Sequence, residues 1–204
     1  MKVGVLDYGV GNVGSLANMI KYINLKPSLS NSVKDLSDNN VIFIPGVGTY
    51  DKAMSAISCN NNIEAIKDFI SQKDKYIVGI CLGMQILFNS SEEGSSKGIG
   101  LLNDEIRSFR GSGVNQVPHM GWNTIESNLL PFSVEKYNRF YFCHSYFCPV
   151  LNFECPHAKT NYEIDFTSLI VKDNIIGIQF HPEKSGLNGA NFLKDLLNNI
   201  PNNA

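Results

Sequence analysis

A cysteine between two glycines is the residue best suited to chemistry in this chain of 204 residues. Cys81 is the centre of Gly79–Gly83, which reads Gly-Ile-Cys-Leu-Gly and separates an apolar run from a segment with helical periodicity. This is the form of a nucleophile elbow with cysteine in place of serine. A tight strand-to-helix turn would lift the Cys81 side chain above a sheet, and the start of the following helix would favour its thiolate. The backbone N–H of Leu82 would then face an oxyanion on the attacked carbonyl.

A candidate base and its orienting carboxylate follow in the last quarter of the chain. Residues 175–180 alternate in hydrophobicity, so we expect an extended chain that presents His181 and Glu183 side by side. A carboxylate that holds an imidazole against a thiol is the arrangement of a nucleophilic triad. Each motif alone also fits a structural role, as a buried cysteine in a turn or a hydrogen-bonded histidine at a strand end. Their combination favours the catalytic interpretation.

Two glycine-rich loops follow predicted strands and could face a ligand. Residues 45–49 (Pro-Gly-Val-Gly-Thr) come at the carboxyl end of a strand, where open α/β sheets bind ligands. Their glycines allow backbone N–H groups to turn towards a developing negative charge. This loop lacks the Gly-Lys-Ser/Thr ending of a phosphate-binding loop, and residues 7–12 lack the full spacing of a dinucleotide-binding turn. Considered singly, both loops are ordinary turns.

The remaining thiols and imidazoles do not predict a metal site. The five cysteines are odd in number and include no Cys-x-x-Cys pair, so we expect free thiols rather than a disulfide framework. One group lies close together in sequence without the ligand spacing of structural zinc: Cys143, His144, Cys148, Cys155 and His157. We expect neither a metal nor another cofactor.

Alternating strands and helices in the first half of the chain would position these residues. Apolar runs at residues 3–6, 41–44 and 76–80 predict buried strands, and the second is expected to stop at Pro45. Helical periodicity predicts helices at 16–23, 63–70 and 82–88. Continuous apolar strands separated by amphipathic helices predict a parallel sheet covered on both faces.

The second half has a different pattern. Residues 140–147 predict a strand, residues 166–171 and 175–180 predict a hairpin around 172–174, and residues 190–197 predict a closing helix. Without repeats or linker-like segments, residues 1–204 are predicted to form a single domain. The predicted class is α/β, with a mostly parallel central sheet, helices on both faces and an antiparallel C-terminal β portion.

The composition excludes several function classes. Lys and Arg total 17 against 19 Asp and Glu, and no basic stripe of the kind that binds nucleic acid occurs. No segment resembles a signal peptide, and no apolar run approaches the roughly 18 residues of a membrane span. We therefore expect a cytoplasmic protein that binds neither nucleic acid nor membrane.

Taken together, these segments resemble the class I, triad-type glutamine amidotransferases. The shared motifs are Pro-Gly-Val-Gly at 45–48, Gly-Ile-Cys-Leu-Gly-Met-Gln at 79–85 and Gln-Phe-His-Pro-Glu at 179–183. Four further stretches resemble the subfamily that serves as glutaminase subunit of imidazole glycerol phosphate synthase: residues 7–12, 118–123, 141–146 and 180–186. The resemblance covers nearly the whole chain. It departs at residues 151–158 and at Glu163, where a glycine often stands.

The resemblance implies the chemistry and a role for each matching residue. Cys81 would attack the side-chain amide of glutamine to give a γ-glutamyl thioester and ammonia, with His181 and Glu183 completing the triad. The implied oxyanion hole consists of Val47, Gly48 and Leu82. The implied substrate-binding residues are Gly46, Gln85, His144, Ser145 and Tyr146. The implied interface residues are Asn12, Trp122 and Lys184.

The resemblance also implies a partner, because the glutaminase unit uses up the chain and leaves no domain to accept ammonia. The implied partner is a (β/α)₈ cyclase subunit that uses ammonia to make imidazole glycerol phosphate in histidine biosynthesis. One alternative keeps the chemistry but supplies ammonia to a bacterial surface-sugar amidotransferase. Another alternative is a non-catalytic regulatory homologue, against which the intact triad argues.

Overall fold

A large mixed sheet organises the protein in the computed structural model, which describes residues 1–128, 130, 137, 139–150 and 155–200. Residues 151–154, which belong to the segment 151–158 that departs from the resemblance, lie outside the described residues. The strands are β1 (Val3–Leu6), β2 (Ser28–Ser30), β3 (Val41–Gly46), β4 (Tyr76–Cys81), β5 (Ser90–Ser91), β6 (Glu105–Ser108), β7 (His119–Thr124), β8 (Glu126–Asn128), β9 (Arg139–His144), β10 (Tyr146–Pro149), β11 (His157–Tyr162), β12 (Ile164–Lys172) and β13 (Ile175–Ile178). The helices are α1 (Val13–Tyr22), α2 (Tyr50–Ile57), α3 (Asn62–Ile70), α4 (Leu82–Gln85) and α5 (Gly186–Asn199). Short 3₁₀ turns span Lys34–Leu36, Cys59–Asn61 and Pro182–Lys184.

The main sheet has a parallel and a largely antiparallel half. Its order in the described part of the chain is β2-β1-β3-β4-β13-β12-β10-β6-β5. Pairing is parallel from β2 through β13, antiparallel from β13 through β6, and parallel again between β6 and β5. Strand β11 pairs with β12 and β8, and β7 pairs with β9 in a separate two-stranded sheet. The predicted fold class is confirmed.

Apolar side chains alternate between two cores, one on each face of the parallel strands. In β3, Val41 and Phe43 contribute to the core under α1 and α5, while Ile42 and Ile44 contribute to the core under α2, α3 and α4. Burial on both faces is the reason that these strands read as continuous apolar runs rather than as alternating ones. None of the helices in the described ranges is long and apolar enough to span a membrane.

Three boundaries differ from the sequence prediction. The helix predicted for 82–88 ends at Gln85, because the carbonyls of Ile86, Leu87 and Phe88 accept hydrogen bonds from backbone N–H groups of residues 99–102 instead. Strand β3 does not stop at Pro45 but pairs with β4 as far as Gly46, opposite Cys81. The strand predicted for 140–147 is divided at residue 145 into β9, which pairs with β7, and β10, which pairs with β6 and β12.

Strand β13 joins the two halves of the sheet and brings His181 close to Cys81. Ile178 pairs with Ile80 in the parallel direction and with Leu169 in the antiparallel direction. The hairpin predicted between β12 and β13 is present. Because parallel neighbours end at the same edge of a sheet, the residues after β13 emerge beside the residues after β4. His181 thereby reaches Cys81.

Candidate active site

Cys81 occupies a strained elbow between β4 and α4. Its backbone angles are φ 54° and ψ −112°, and a residue other than glycine rarely adopts a positive φ. Such a conformation costs about 1–3 kcal/mol and persists only where the surrounding structure enforces it. Cys81 is 6% exposed and lies at the carboxyl edge of the parallel strands. The tight strand-to-helix turn that the sequence predicts at Cys81 is therefore present.

Three glycines enforce that conformation by letting backbones touch. A Cβ atom on Gly83 would overlap the carbonyl oxygen of Ile44 in β3. A Cβ on Gly79 would lie 2.5 Å from the Gly83 oxygen, and one on Gly46 would lie 2.5 Å from the Gly83 nitrogen. Strands β3 and β4 therefore contact α4 backbone to backbone, and a side chain at any of these glycines would push the elbow out of place.

His181 and Glu183 come together through a 3₁₀ turn and not through the extended chain that we expected. His181 is the last extended residue, and Pro182–Lys184 form the turn that brings the Glu183 carboxylate back towards the imidazole. His181 Nδ1 lies 2.8 Å from Glu183 Oε1, which leaves Nε2 for the Cys81 thiol. The His181 N–H donates to the Tyr141 carbonyl at 2.8 Å, so β9 holds the turn in place.

The environment keeps His181 protonated at neutral pH. Burial lowers the pKa of His181, but negative charge on Cys81, a hydrogen bond to Cys81 and the Glu183 carboxylate together raise this pKa to about 10. An imidazolium between a thiol and a carboxylate favours the thiolate and holds the proton that a leaving amine needs. The site is therefore arranged for nucleophilic attack followed by general-acid catalysis.

The alkaline limb of activity should follow the protonation of His181. A raised pKa means that the imidazolium persists from neutral pH upwards and is lost as the pH passes about 10. We expect the rate of thiol-dependent amide hydrolysis to fall there. In Glu183→Gln the carboxylate no longer favours the charged ring, so the fall should begin at lower pH, by about one to two pH units. A pH profile of kcat/KM measures the effect, and an unmoved alkaline limb would show that Glu183 does not control His181.

A buried pair of glutamines supports the thiol and was not predicted as such. Gln179 Nε2 donates to Cys81 Sγ at 3.7 Å, and Gln179 Oε1 accepts from Gln85 Nε2 at 3.0 Å. Gln85 Nε2 also donates to the Tyr146 carbonyl at 3.0 Å. Both N–H groups of Gln85 are thus used inside the protein, so its Oε1 is the atom that it offers to a ligand. Gln179 is the first residue of the Gln-Phe-His-Pro-Glu motif, but its position in the sequence does not indicate a contact with Cys81.

A cleft of about 650 Å³ opens in front of Cys81. Of the residues expected from the resemblance, its lining includes Asn12, Val47, Gly48, Cys81, Leu82, Gln85, His144, Ser145, Tyr146, His181 and Lys184. Gly46 lies behind the elbow, packed against Leu82 and Gly83, and Glu183 lies behind His181. Trp122 lies outside the lining. The volume is more than sufficient for one amino acid.

Glu93 supplies a carboxylate in this lining that the sequence analysis missed. It is the one acidic residue among the lining residues that the structure describes. Its Oε2 accepts from the backbone N–H of Tyr50 at 3.2 Å, which fixes the carboxylate at the first residue of α2. Burial raises the pKa of Glu93 because it disfavours the charged carboxylate. A cation beside the carboxylate would stabilise this charge, so the site favours a positively charged group. Nothing in the local sequence distinguishes Glu93 from the adjacent Glu92.

An exposed aromatic surface adjoins the cleft. Trp122 and Met120 on β7 are 48% and 64% exposed, and the Trp122 ring meets the edge of Tyr141 at 6.3 Å between centroids. Lys184 Nζ lies 5.8 Å from the centroid of the Tyr141 ring and also lines the cleft. We call Met120, Trp122, Tyr141 and Lys184 the mouth surface. Large exposed apolar and aromatic groups around a cleft are typical of a protein contact.

A zinc site is not formed by the clustered cysteines and histidines. Among the described residues no group of three or more His, Cys, Asp or Glu side chains is placed to hold a metal ion. The five cysteines are free thiols. Burial raises the pKa of Cys148 and of Cys155, which makes these two thiols poor nucleophiles.

The family model for glutamine amidotransferase class-I matches residues 5–200 of the chain. Imidazole glycerol phosphate synthase subunit HisH 2 of Methanococcus maripaludis is 38% identical over 96% of this chain and 98% of its own length. Subunit HisH of Leptospira interrogans is 37% identical over 95% and 98%. Subunit HisH 2 of Pseudomonas aeruginosa is 34% identical over 95% and 97%.

Solved structures share the fold at lower sequence identity. The structure of PurLQS from Thermotoga maritima superposes with a TM-score of 0.71 at 20% identity, over 98% of this chain and 97% of that chain. A crystal structure of a glutamine amidotransferase gives a TM-score of 0.69 at 13% identity, over 95% and 97%. At this level of identity the likeness concerns the arrangement of strands and helices.

Proposed function

Because the chain belongs to the class I glutamine amidotransferase family, we propose that it is a glutaminase subunit that supplies ammonia to imidazole glycerol phosphate synthase in histidine biosynthesis. The observation that carries this proposal is the Cys81 thiol beside the His181 imidazole in one cleft, with the Glu183 carboxylate behind the imidazole at 2.8 Å. The near full-length similarity to HisH subunits supports the choice of pathway.

The reaction follows from the positions of these three side chains. The Cys81 thiolate adds to the side-chain carbonyl carbon of glutamine, and the electron pair of the C=O bond moves to oxygen. The oxyanion collapses, the C–N bond breaks, and His181 gives its Nε2 proton to the departing ammonia. Water then attacks the γ-glutamyl thioester while His181 takes its proton. Glutamate leaves and Cys81 is regenerated.

Backbone N–H groups beside the elbow would stabilise the oxyanion. Leu82 directly follows the nucleophile, and Val47 and Gly48 line the cleft next to it. Gly48 has φ +119°, and no atom lies within 4 Å of the position that its Cβ would take, so its peptide units have room to rotate. We assign the oxyanion hole to Val47, Gly48 and Leu82, with the loop free to reorient an N–H towards the substrate.

The amino-acid end of glutamine would lie on the other wall of the cleft. The Oε1 atom of Gln85 and the carboxylate of Glu93 are acceptors, as an α-ammonium group requires. We assign these two side chains to the α-ammonium and the Ser145–Tyr146 segment to the remainder of the amino-acid end. His144 lines the cleft, but both of its ring nitrogens are bonded within the protein.

Glutamine affinity should depend on the negative charge of Glu93. In Glu93→Gln the amide oxygen still accepts from the Tyr50 N–H, so α2 keeps its contact and only the charge is lost. A charged hydrogen bond is worth about 1.5–3 kcal/mol, so KM for glutamine should rise about tenfold to a hundredfold. The kcat value should change little, because the contact is made equally in the ground and transition states. Steady-state glutamate release gives both constants.

The neighbouring Glu92 provides a matched control for that variant. Its carboxylate accepts from the Ser108 N–H at 2.6 Å and does not line the cleft. Glu92→Gln removes one negative charge from the same segment. Because the Glu92 side chain does not line the cleft, this variant should leave KM unchanged. Equal effects of the two variants would show that the charge acts through the segment and not on glutamine.

The chain functions in a synthase complex with a partner subunit, and we propose that this partner is a (β/α)₈ cyclase in a cytoplasmic heterodimer. Ammonia leaving the cleft needs an acceptor, and the mouth surface offers apolar and aromatic groups where a partner could seal the opening. Lys184, which belongs to the mouth surface, and Asn12 both line the cleft. We assign Asn12, Trp122 and Lys184 to the interface.

A further inference from the structure

Two buried histidines beside the substrate cleft form a hydrogen-bonded pair that the triad does not use. His119 on β7 is 2% exposed and His144 at the end of β9 is 6% exposed. His119 Nδ1 lies 3.0 Å from His144 Nε2, and the two residues are register partners in the antiparallel β7–β9 pair. Buried imidazoles in contact are costly unless every ring nitrogen has a partner of the right kind.

The outer partners determine which nitrogens carry protons. His144 Nδ1 lies 2.8 Å from the Tyr146 carbonyl, which only accepts, so this nitrogen carries the proton. In a neutral ring His144 Nε2 is then the acceptor for His119 Nδ1–H. His119 Nε2 in turn accepts from Asn123 Nδ2 at 3.2 Å. All hydrogen bonds therefore point in one direction, from Asn123 towards the Tyr146 carbonyl.

The end of this series is fixed independently. Asn123 Nδ2 also donates to the Asn161 carbonyl at 3.0 Å, and Asn123 Oδ1 accepts from the Thr124 N–H at 2.8 Å. The amide can therefore face His119 only with its nitrogen. Its orientation is the one that the series requires.

Burial keeps both rings neutral. It lowers the pKa of His144 to about 3 and that of His119 to about 4, and in His144 the nearby His119 contributes in the same direction. The His119 ring is also held in its plane by stacking on Phe142 and Tyr162, with centroids 4.7 Å and 4.0 Å away. The donor from His119 to His144 is thus fixed in direction by packing.

The Tyr146 carbonyl connects this series to the glutamine site. It accepts from His144 Nδ1 and also from Gln85 Nε2, the side chain that we assign to the substrate ammonium. If His119 did not donate to His144 Nε2, this buried acceptor would be left unpaired and the His144 ring would gain freedom to turn. The Tyr146 carbonyl, and with it the Gln85 amide, would lose one of its fixed partners.

We propose that His119 and Asn123 are positioning residues for glutamine binding, acting through the neutral series Asn123–His119–His144–Tyr146 that orients Gln85. The inference rests on the proposed glutaminase function. It also connects the inward side chains of β7 to the substrate site through His144, while the outward side chains of the same strand, Met120 and Trp122, belong to the mouth surface.

Two substitutions of His119 separate positioning from packing. His119→Phe keeps an aromatic ring between Phe142 and Tyr162 but has no donor for His144. His119→Asn loses the stacking but places its amide nitrogen close to the former Nδ1. We expect KM for glutamine to rise about tenfold in His119→Phe and to stay within about threefold of wild type in His119→Asn, although His119→Asn should have the lower Tm. Alkylation of Cys81 by iodoacetamide, which needs no glutamine site, should be unchanged in His119→Phe.

The diagnostic result is that His119→Phe has the higher KM for glutamine, whereas His119→Asn has the lower Tm. If KM increases in step with the loss of Tm, or stays at the wild-type value in His119→Phe, the positioning role is wrong. If the wild-type chain with its partner hydrolyses no glutamine, the proposed function fails instead.

A spectroscopic readout does not depend on turnover. Two-bond ¹H–¹⁵N spectra of the wild-type chain should show both His119 and His144 as Nδ1–H tautomers at neutral pH. An Nε2–H tautomer or a charged ring at either position would overturn the series.

Discussion

Cys81→Ala should reduce glutamine-dependent product formation by the assembled synthase by at least about 10⁴-fold, while ammonia-dependent formation stays within about twofold of wild type. The substitution removes the sulfur that forms the thioester, so the covalent route ends. The partner's reaction needs only ammonia from this subunit, and an ammonium salt can supply it, so that reaction is left intact. The elbow should still fold, because its conformation is enforced by the contacts of Gly46, Gly79 and Gly83 and not by the thiol. Rates with glutamine and with an ammonium salt measure both routes.

Cys143 is the matched control, since it lines the same cleft and its carbonyl lies 3.9 Å from Cys81 Sγ. Cys143→Ala should retain glutamine-dependent activity. A glutamine-like chloroketone should label Cys81 in the wild type and in Cys143→Ala but leave Cys81→Ala unlabelled. Equal loss with glutamine and with ammonia in Cys81→Ala would show that Cys81 has a structural role only.

The isolated chain should be a weak glutaminase whose rate rises at least about a hundredfold with a cyclase barrel and its ribonucleotide substrate. Ammonia made without an acceptor is lost, so a dedicated subunit benefits from an oxyanion hole that completes only in the loaded complex. The loop at Val47 and Gly48 has the room for this change, with Val47 41% exposed and Gly48 at φ +119°. One oxyanion donor is worth about 3 kcal/mol, or a hundredfold or more in rate. Glutamate release should be measured for the chain alone, with barrel, and with barrel plus ribonucleotide.

Docking variants show whether this stimulation requires the mouth surface. Trp122→Ala should raise the barrel concentration needed for half-maximal stimulation by about tenfold or more, because buried tryptophans often dominate interfaces. Leu187→Ala removes a side chain that is more exposed, at 66%, but lies outside the mouth surface, and it should have no effect. Full activity of the chain alone contradicts the gating model. Stimulation by a surface-sugar amidotransferase system without response to the ribonucleotide would assign the chain to that pathway.

The sequence predicted the parts of the fold that depend on local patterns. Strands such as 76–80 were predictable because burial on both faces produces a continuous apolar run, and Cys81 was marked by its flanking glycines. The hairpin between β12 and β13 was marked by the polar turn at 172–174. In each of these cases the cause of the structure lies within a few residues of the element.

Features that depend on distant partners were not predictable in the same way. Residues 82–88 are apolar except for Gln85, and α4 ends early only because the N–H groups of residues 99–102 bond to the next carbonyls. The pairing of His181 with Glu183 was predicted, but from an extended chain, whereas a 3₁₀ turn produces it. The contact of Gln179 with Cys81 and the entry of Glu93 into the cleft depend on side-chain packing between elements far apart in sequence.

The central position of β13 in the sheet has a consequence for biosynthesis. Cys81 leaves the ribosome about 100 residues before His181, a delay of about 5–20 s at ordinary rates of translation. Until β13 arrives, the outer edge of β4 has no partner, and an open apolar edge invites association with other nascent chains. In the proposed mechanism, Cys81 also has no base during this interval. A polypeptide that is still being translated should therefore not hydrolyse glutamine. It should gain this activity only when β13 pairs between β4 and β12.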